Sequence, residues 1–238
     1  LTAGGTVRAQ VDVSELFLVN NGFDTNINYS AQATGNVAQE ILDVTGWTKD
    51  HSVDYTIVGT YAFGTQATFN TTGRVPAAGY DGSAACLALS TGWEQSLVYS
   101  QTITLPAGSY RLQAAWYNGS GKTGGQSLVG WVPTSGSSVM SSVASFPLNQ
   151  WKVEEVTFSL TRQTRGKVQL GLKAVAGGSV NSAKPVLDYV KLMMDDEAQA
   201  LSLIRTRLQT LLNTATAHYG DGTGNEAQQL IKRDFQAR

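Results

Sequence analysis

The amino-acid sequence predicts a mainly β protein, a sandwich of short strands followed by a small pair of helices. Three observations carry this. The stretch 99–120, YSQTITLPAGSYRLQAAWYNGS, alternates apolar and polar residues on both sides of a Pro-Ala-Gly turn. Further runs of strand character recur along the chain, divided by turn signals at intervals of roughly ten to fifteen residues. From Asp195 onward the apolar spacing changes from every second residue to every third and fourth.

The stretch 99–120 reads as a β-hairpin at the middle of the sandwich. Gln101, Ile103 and Leu105 alternate with Thr102 and Thr104, the pattern of a strand with one buried face. Pro106 fixes φ near the value that a turn's second position needs, and Gly108 can adopt left-handed backbone. Leu105-Pro106-Ala107-Gly108 therefore predicts a type I turn closing through a glycine bulge. On the return strand Tyr110, Leu112, Ala114 and Trp116 share an apolar, core-facing side. Arg111, Gln113, Ala115 and Tyr117 share the other, whose mixture of charge, amide and phenol suits a polar ligand.

With 238 residues the chain is long enough for one large β domain, or for a domain with an appendage, and for a sizeable core. Charged residues make up 15%, well below the roughly 25% of an average domain, and Gly, Ser and Thr fill the gap. That composition suits short strands and many turns. A net charge of −1 gives no basis for binding nucleic acid or an acidic membrane surface. The single Cys86 lies in the apolar run 84–89, where a buried thiol is expected and not a nucleophile. No run approaches the ~20 apolar residues of a membrane span. Residues 1–10 read either as the tail of a cleaved signal peptide, with Val7 and Ala9 at the positions signal peptidase inspects, or as an ordinary disordered terminus. Taken with the rest of the chain, this points to an exported protein.

In chain order, residues 18–24 predict a short strand ending in a turn, and 25–39 is too polar to assign. Residues 41–47 end in Gly46-Trp47, 53–58 is a further strand candidate, and 59–80 is rich in Gly, Thr and aromatics. Residues 84–89 form an apolar strand, followed by the loop Thr91-Gly92-Trp93-Glu94. Beyond residue 120 come a flexible loop, a strand over 128–132 carrying Trp131, and a small polar segment. Residues 151–160 follow, with Val156, Phe158 and Leu160 inward, and then last strands over 167–173 and 186–193. Asp195-Asp196-Glu197 is an N-terminal helix signal. Ala198, Leu201, Ile204, Leu208, Leu211 and Ala215 then follow at helical spacing, with Gly220 as a stop. Ala227, Leu230, Ile231 and Phe235 mark a second helix. The expected organisation is a sandwich over 11–194 and a helical hairpin or spacer over 195–238. The absence of a helix-stop signal before Arg238 favours a further domain C-terminal to it.

The ordered set Leu18-Val19-Asn20-Asn21-Gly22-Phe23-Asp24, Gly46-Trp47, Ala85-Cys86-Leu87-Ala88-Leu89, the stretch 99–110 and Leu187-Asp188-Tyr189-Val190-Lys191-Leu192 resembles a known group. It is similar to the jelly-roll, galactose-binding-like modules attached to polysaccharide-degrading and surface proteins of gut Bacteroidetes, and the resemblance covers residues 18–193. It implies a jelly-roll β-sandwich and non-catalytic binding of a glycan or polysaccharide by a secreted or cell-surface protein. A sugar ring lays its C–H face on an aromatic plane while its hydroxyls find donors and acceptors. The resemblance also implies a structural Ca²⁺ held by oxygens of the first and last strands, where Asp24 and Asp188 stand. The usual acidic neighbours are absent, and turn capping or ion pairing is the alternative role for the two aspartates.

The ligand-binding candidates are Arg111, Gln113 and Tyr117 on the non-core face of the central strand, with Trp93, Trp131 and Tyr80 in or beside loops. Each has an ordinary packing role as its alternative. Trp47, Trp116 and Trp151 are assigned to structure. Gly121-Lys122-Thr123 lacks the first glycine of a phosphate loop, since residue 116 is Trp. His51 and His218 have no metal-ligand spacing, and Glu154 and Glu155 fall on opposite faces of one strand. Asn70-Thr71-Thr72 and Asn118-Gly119-Ser120 match the glycosylation pattern, a short and common match. No convergent acid and base suggests an enzyme. The second reading is a structural or adhesive spacer that binds no sugar.

Overall fold

The computed structural model describes residues 10–28, 35–37, 43–51, 57–64, 67–69, 73–90, 96–141, 146–173 and 183–219. Residues 12–195 form one compact unit and the C-terminal helix belongs to a second. The elements in the first half of the chain are β1 (Val11–Asp12), α1 (Ser14–Phe17), β2 (Gly35–Val37), β3 (Thr48–His51), β4 (Ile57–Ala62), β5 (Ala67–Phe69), β6 (Gly73–Arg74) and β7 (Ala85–Ser90). They continue with β8 (Ser96–Leu105), β9 (Gly108–Tyr117), β10 (Gln126–Pro133), β11 (Val139–Ser141), β12 (Trp151–Leu160), β13 (Thr164–Lys173), β14 (Val186–Met194) and α2 (Glu197–Tyr219).

Two antiparallel sheets make the sandwich. The first runs β12-β9-β14-β7-β4 and the second β11-β10-β13-β8-β3. The small set β2-β5-β6 stands apart from both. Fold and composition agree: the chain is mainly β, with a C-terminal helix. The inward residues of both sheets interdigitate as the period-two pattern requires, among them Leu97 and Leu105 on β8, Tyr110, Leu112 and Trp116 on β9, and Val168 and Leu170 on β13.

The predicted hairpin is a corner. β8 pairs with β13 and β3, whereas β9 pairs with β12 and β14, so residues 105–108 carry the chain from one sheet to the other. The Pro-Ala-Gly chemistry predicts a tight reversal correctly, but a reversal can join paired strands or cross a core. Here buried Leu105 and Tyr110 hold the crossing, and Tyr110 Oη donates to the carbonyl of Pro106 at 3.0 Å. Gly108 has φ +156°, and a Cβ there would meet Met194 Cε at 2.8 Å.

Residues 18–24 are likewise not a strand. α1 begins where Asp12 Oδ1 accepts from the backbone N–H and the hydroxyl of Ser14. The chain then turns through left-handed Asn20 (φ 51°) and Phe23 (φ 61°). Asn20 fixes this turn: its Oδ1 accepts from Thr25 N, its Nδ2 donates to Thr45 O, and its carbonyl accepts from the Trp47 indole. Phe23 is fully buried with its ring centroid 5.8 Å from Trp47.

Strands β7, β10, β12 and β14 fall where the alternation places them, give or take a residue or two at their ends, and β13 begins three residues earlier than expected. Most of the strand candidate at 53–58 lies outside the described residues, as do the signal-like start at 1–9 and the second helix at 227–235. Helix α2 opens with Asp196, whose Oδ1 accepts from Gln199 N, and reaches Tyr219, one residue before the expected glycine stop. Leu201, Leu208 and Leu211 are exposed along it.

Candidate functional site

The outer face of the first sheet is divided into an aromatic end and a polar end. Register sets this directly. Trp151 on β12, Tyr117 on β9, Val186 on β14 and Ala88 on β7 form one cross-strand row. Glu155, Gln113 and Lys191 form another, with Arg111 in the next row of β9.

At the aromatic end Tyr61, Val75, Cys86, Ala88 and Val186 form a second small core outside the sheet, against which Phe63, Tyr117 and Trp151 pack. Trp151 is the hub, with ring centroids 5.3 Å from Tyr117, 5.9 Å from Tyr80 and 6.2 Å from Phe63. Tyr80 also lies 5.7 Å from Tyr189. Of these rings Tyr80 is the exposed one, at 49%. A phenol held on two aromatic neighbours yet open to solvent is a rigid platform of the kind that receives an apolar sugar face.

At the polar end Arg111 Nη1 donates to Glu155 Oε1 at 2.8 Å and Gln113 Nε2 donates to Glu155 Oε2 at 2.7 Å. Lys191 Nζ sits 3.0 Å from Asp81 Oδ2 and 4.3 Å from the Tyr189 ring centroid. These groups are about one-third exposed, so they stay in reach of a ligand while holding each other in place.

The bulge between Leu187 and Val190 on β14 re-aims Asp188 and Tyr189. Fully buried Asp188 accepts from the Ser83 hydroxyl and from Tyr80 N. Burial pushes its carboxyl up, and the Ser83 and Tyr80 donors pull it back. Asp24 Oδ1 accepts from Ala84 N at 3.1 Å and Ala85 N at 2.8 Å. The two aspartates thus clamp residues 80–85, the segment that presents Tyr80. Neither meets a Lys or Arg among the described residues, and both press on buried Cys86, whose thiol is raised first by burial and then by these carboxylates. For the expected Ca²⁺ the two aspartates supply two carboxylates, each already accepting N–H or O–H donors of the protein. Three acidic, His or Cys side chains do not converge among the described residues, so hydroxyl and carbonyl oxygens would complete such a site. Beside it opens a polar cavity of about 430 Å³, lined among others by Glu15, Asn20, Asp24, Asp81, Ser83 and Tyr189.

Arg111, Gln113, Tyr117 and Tyr80 are therefore brought to one face. Trp131 is not: it is 1% exposed and lies between the sheets, stacked on Phe158. An indole on an inward position of a strand fills the core, so it cannot serve as a sugar platform. Trp93 lies outside the described residues. Sequence reasoning missed Trp151 as part of the face, and with it Glu155, Lys191 and Tyr189. The signal for Trp151 was its place at the very start of a strand, where the side chain is half-buried.

Other candidates resolve into structure. Asn118 is buried and donates to the Lys122 and Phe146 carbonyls, which closes it to glycosylation. Cys86 is fully buried, its thiol donating to Tyr61 O. Glu154 is 3% exposed between the sheets, whereas Glu155 faces out, so the two do not act on one substrate. Burial raises the Glu154 carboxyl, opposed by the Ser127 hydroxyl, which donates to Oε2, and by the charge of Lys152.

No helix among the described residues is long and apolar enough to cross a membrane. No protein-family model and no curated protein matches the chain. Several solved structures are similar in strand layout. A family 61 carbohydrate-binding module in complex with β-1,4-galactotriose shares 16% identity at a TM-score of 0.46, over 74% of this chain and 95% of its own. The CBM22-1 xylan-binding domain of Paenibacillus barcinonensis Xyn10C shares 12% at a TM-score of 0.41, over 82% and 99%. The enzymatically active domain of tailspike protein 4 from bacteriophage CBA120 shares 16% at a TM-score of 0.40, over 64% of this chain and 20% of its own. At these identities and scores the likenesses stand as similarities only, and fold and function rest on this chain's own residues.

Proposed function

We propose that this chain is a non-catalytic glycan-binding module of an exported protein, and that the sugar lies on the outer face of the first sheet. The observation that carries the reading is the rigid, half-exposed Tyr80 ring beside an anchored polar row, Arg111, Gln113 and Glu155. Tyr80 offers the plane for a sugar's C–H face. Arg111 spends one N–H on Glu155 and has others for ring hydroxyls. Trp151 and Tyr117 support the platform from below. Asp24 and Asp188 are the residues that would hold a structural Ca²⁺, whose chemistry is to neutralise their charge and stiffen residues 80–85.

A glycan array followed by calorimetry on the best hit tests this. Tyr80→Ala should weaken binding about ten-fold, the order expected for one aromatic contact, while lowering the melting temperature by only a few degrees as its contacts with Trp151 and Tyr189 are lost. Trp151→Ala should weaken binding and destabilise the protein together. Silence across plant, host and microbial glycans would favour a structural or adhesive spacer, a reading to which the burial of Trp47, Trp116 and Trp131 already lends weight.

A further inference from the structure

We infer that the polar row of this face favours uncharged glycans over uronic acids and other anionic sugars, and that Glu155 and Asp81 set this preference. The inference rests on the glycan-binding reading above and concerns the same face.

A protein surface that recognises an anionic sugar keeps a cation free to meet the carboxylate, usually as a bidentate guanidinium. Here both cations of the polar row are already taken. Arg111 meets Glu155 at 2.8 Å and Lys191 meets Asp81 at 3.0 Å. Glu155 is itself fully engaged, one oxygen on Arg111 and the other on Gln113, so it cannot swing aside without losing two hydrogen bonds. Lys191 is fixed from a second side by the Tyr189 ring. A uronate approaching either cation would arrive beside a carboxylate at contact distance.

The surroundings add to this. The adjoining cavity carries Glu15, Asp24 and Asp81, with no Lys or Arg among the described residues that line it. Like charges within a Debye length of about 8–10 Å still repel at physiological salt. Arg74, near the Gly119 edge of Tyr117, is a cation outside the polar row. Hydroxyls have no such difficulty. A neutralised Arg111 keeps N–H donors, so a neutral sugar gains hydrogen bonds without a charge to oppose.

The test compares β-1,4-galactan and a soluble mixed-linkage β-glucan with the same polymers partly oxidised at C6 to carboxylate. Retention of the full chain is measured by affinity electrophoresis at low and high salt. The neutral polymer that binds best should outbind its oxidised form about ten-fold at low salt, and the gap should narrow as salt screens the repulsion. Glu155→Gln, which leaves Arg111 unpaired, and Asp81→Asn, which leaves Lys191 unpaired, should each shrink the ratio at low salt. Equal or tighter binding of the oxidised polymer by the unaltered protein would overturn the inference and leave glycan binding standing. So would a ratio untouched by both substitutions. Retention by neither form would overturn the glycan-binding reading and this inference together.

Discussion

Trp131 of the second sheet lies flat on Phe158 of the first, with ring centroids 5.4 Å apart and planes inclined by 4°. Phe158 in turn stacks on Tyr110, at 5.5 Å and 21°, so three rings run through the sandwich. Trp131→Ala removes the end of this stack and leaves a cavity the sheets cannot close. The expected cost is about 3–5 kcal/mol, since large-to-small changes at aromatic core sites lose both transfer energy and packing. Urea unfolding reads it out. A loss below about 1 kcal/mol would mean that Trp131 is not the inter-sheet ring described here.

Residues 151–160 show what one strand tells about itself. Val156 and Phe158 alternate with Thr157 and Ser159, and the strand forms where that pattern places it. The partners are another matter. Thr157 faces Arg111 and Glu155 faces Gln113 only because β12 pairs with β9, a register fixed by the whole sandwich. The polar row was therefore half legible: Arg111, Gln113 and Tyr117 share a visible period, and their acidic partner lies 44 residues away. Trp131 and Trp151 posed the same difficulty. Both sit in or beside a strand, and only the packing of the opposite sheet tells which one is enclosed.

The corner at residues 105–108 gives a second prediction. Tyr110→Phe deletes the hydrogen bond to the Pro106 carbonyl and should cost about 1 kcal/mol. Gly108→Ala should cost about 1–3 kcal/mol, because φ is +156° there, a backbone conformation that L side chains rarely adopt, while Met194 Cε, at the end of a flexible side chain, can give way. If Gly108→Ala proves neutral in urea unfolding, the crossing between sheets is looser than the geometry states.

Calcium should raise the melting temperature relative to chelator. At one hundred times the dissociation constant, ligand linkage contributes about 2.7 kcal/mol. Asp188→Asn and Asp24→Asn should each abolish the calcium-dependent part of the shift. Identical melting curves with calcium and with chelator would leave the two carboxylates as clamps on residues 80–85, the role their N–H partners already give them.

Glu154 makes stability depend on pH in a stated direction. Its carboxyl is raised in the folded protein, chiefly by burial. Between the unfolded carboxyl value of about 4.3 and the higher folded one, folding takes up a proton. The contribution of this group to stability therefore falls as pH rises through that window, and levels off above the folded value. Each unit of difference between the two values is worth about 1.4 kcal/mol. Glu154→Gln keeps an oxygen to accept from Ser127 and removes the charge. The variant should be more stable than the parent near pH 7, with the difference shrinking towards pH 4. Urea unfolding of both proteins across that range isolates the term from every other titrating group they share. A difference that stays constant with pH, or one that grows on acidification, would place the charge of Glu154 in solvent and not between the sheets.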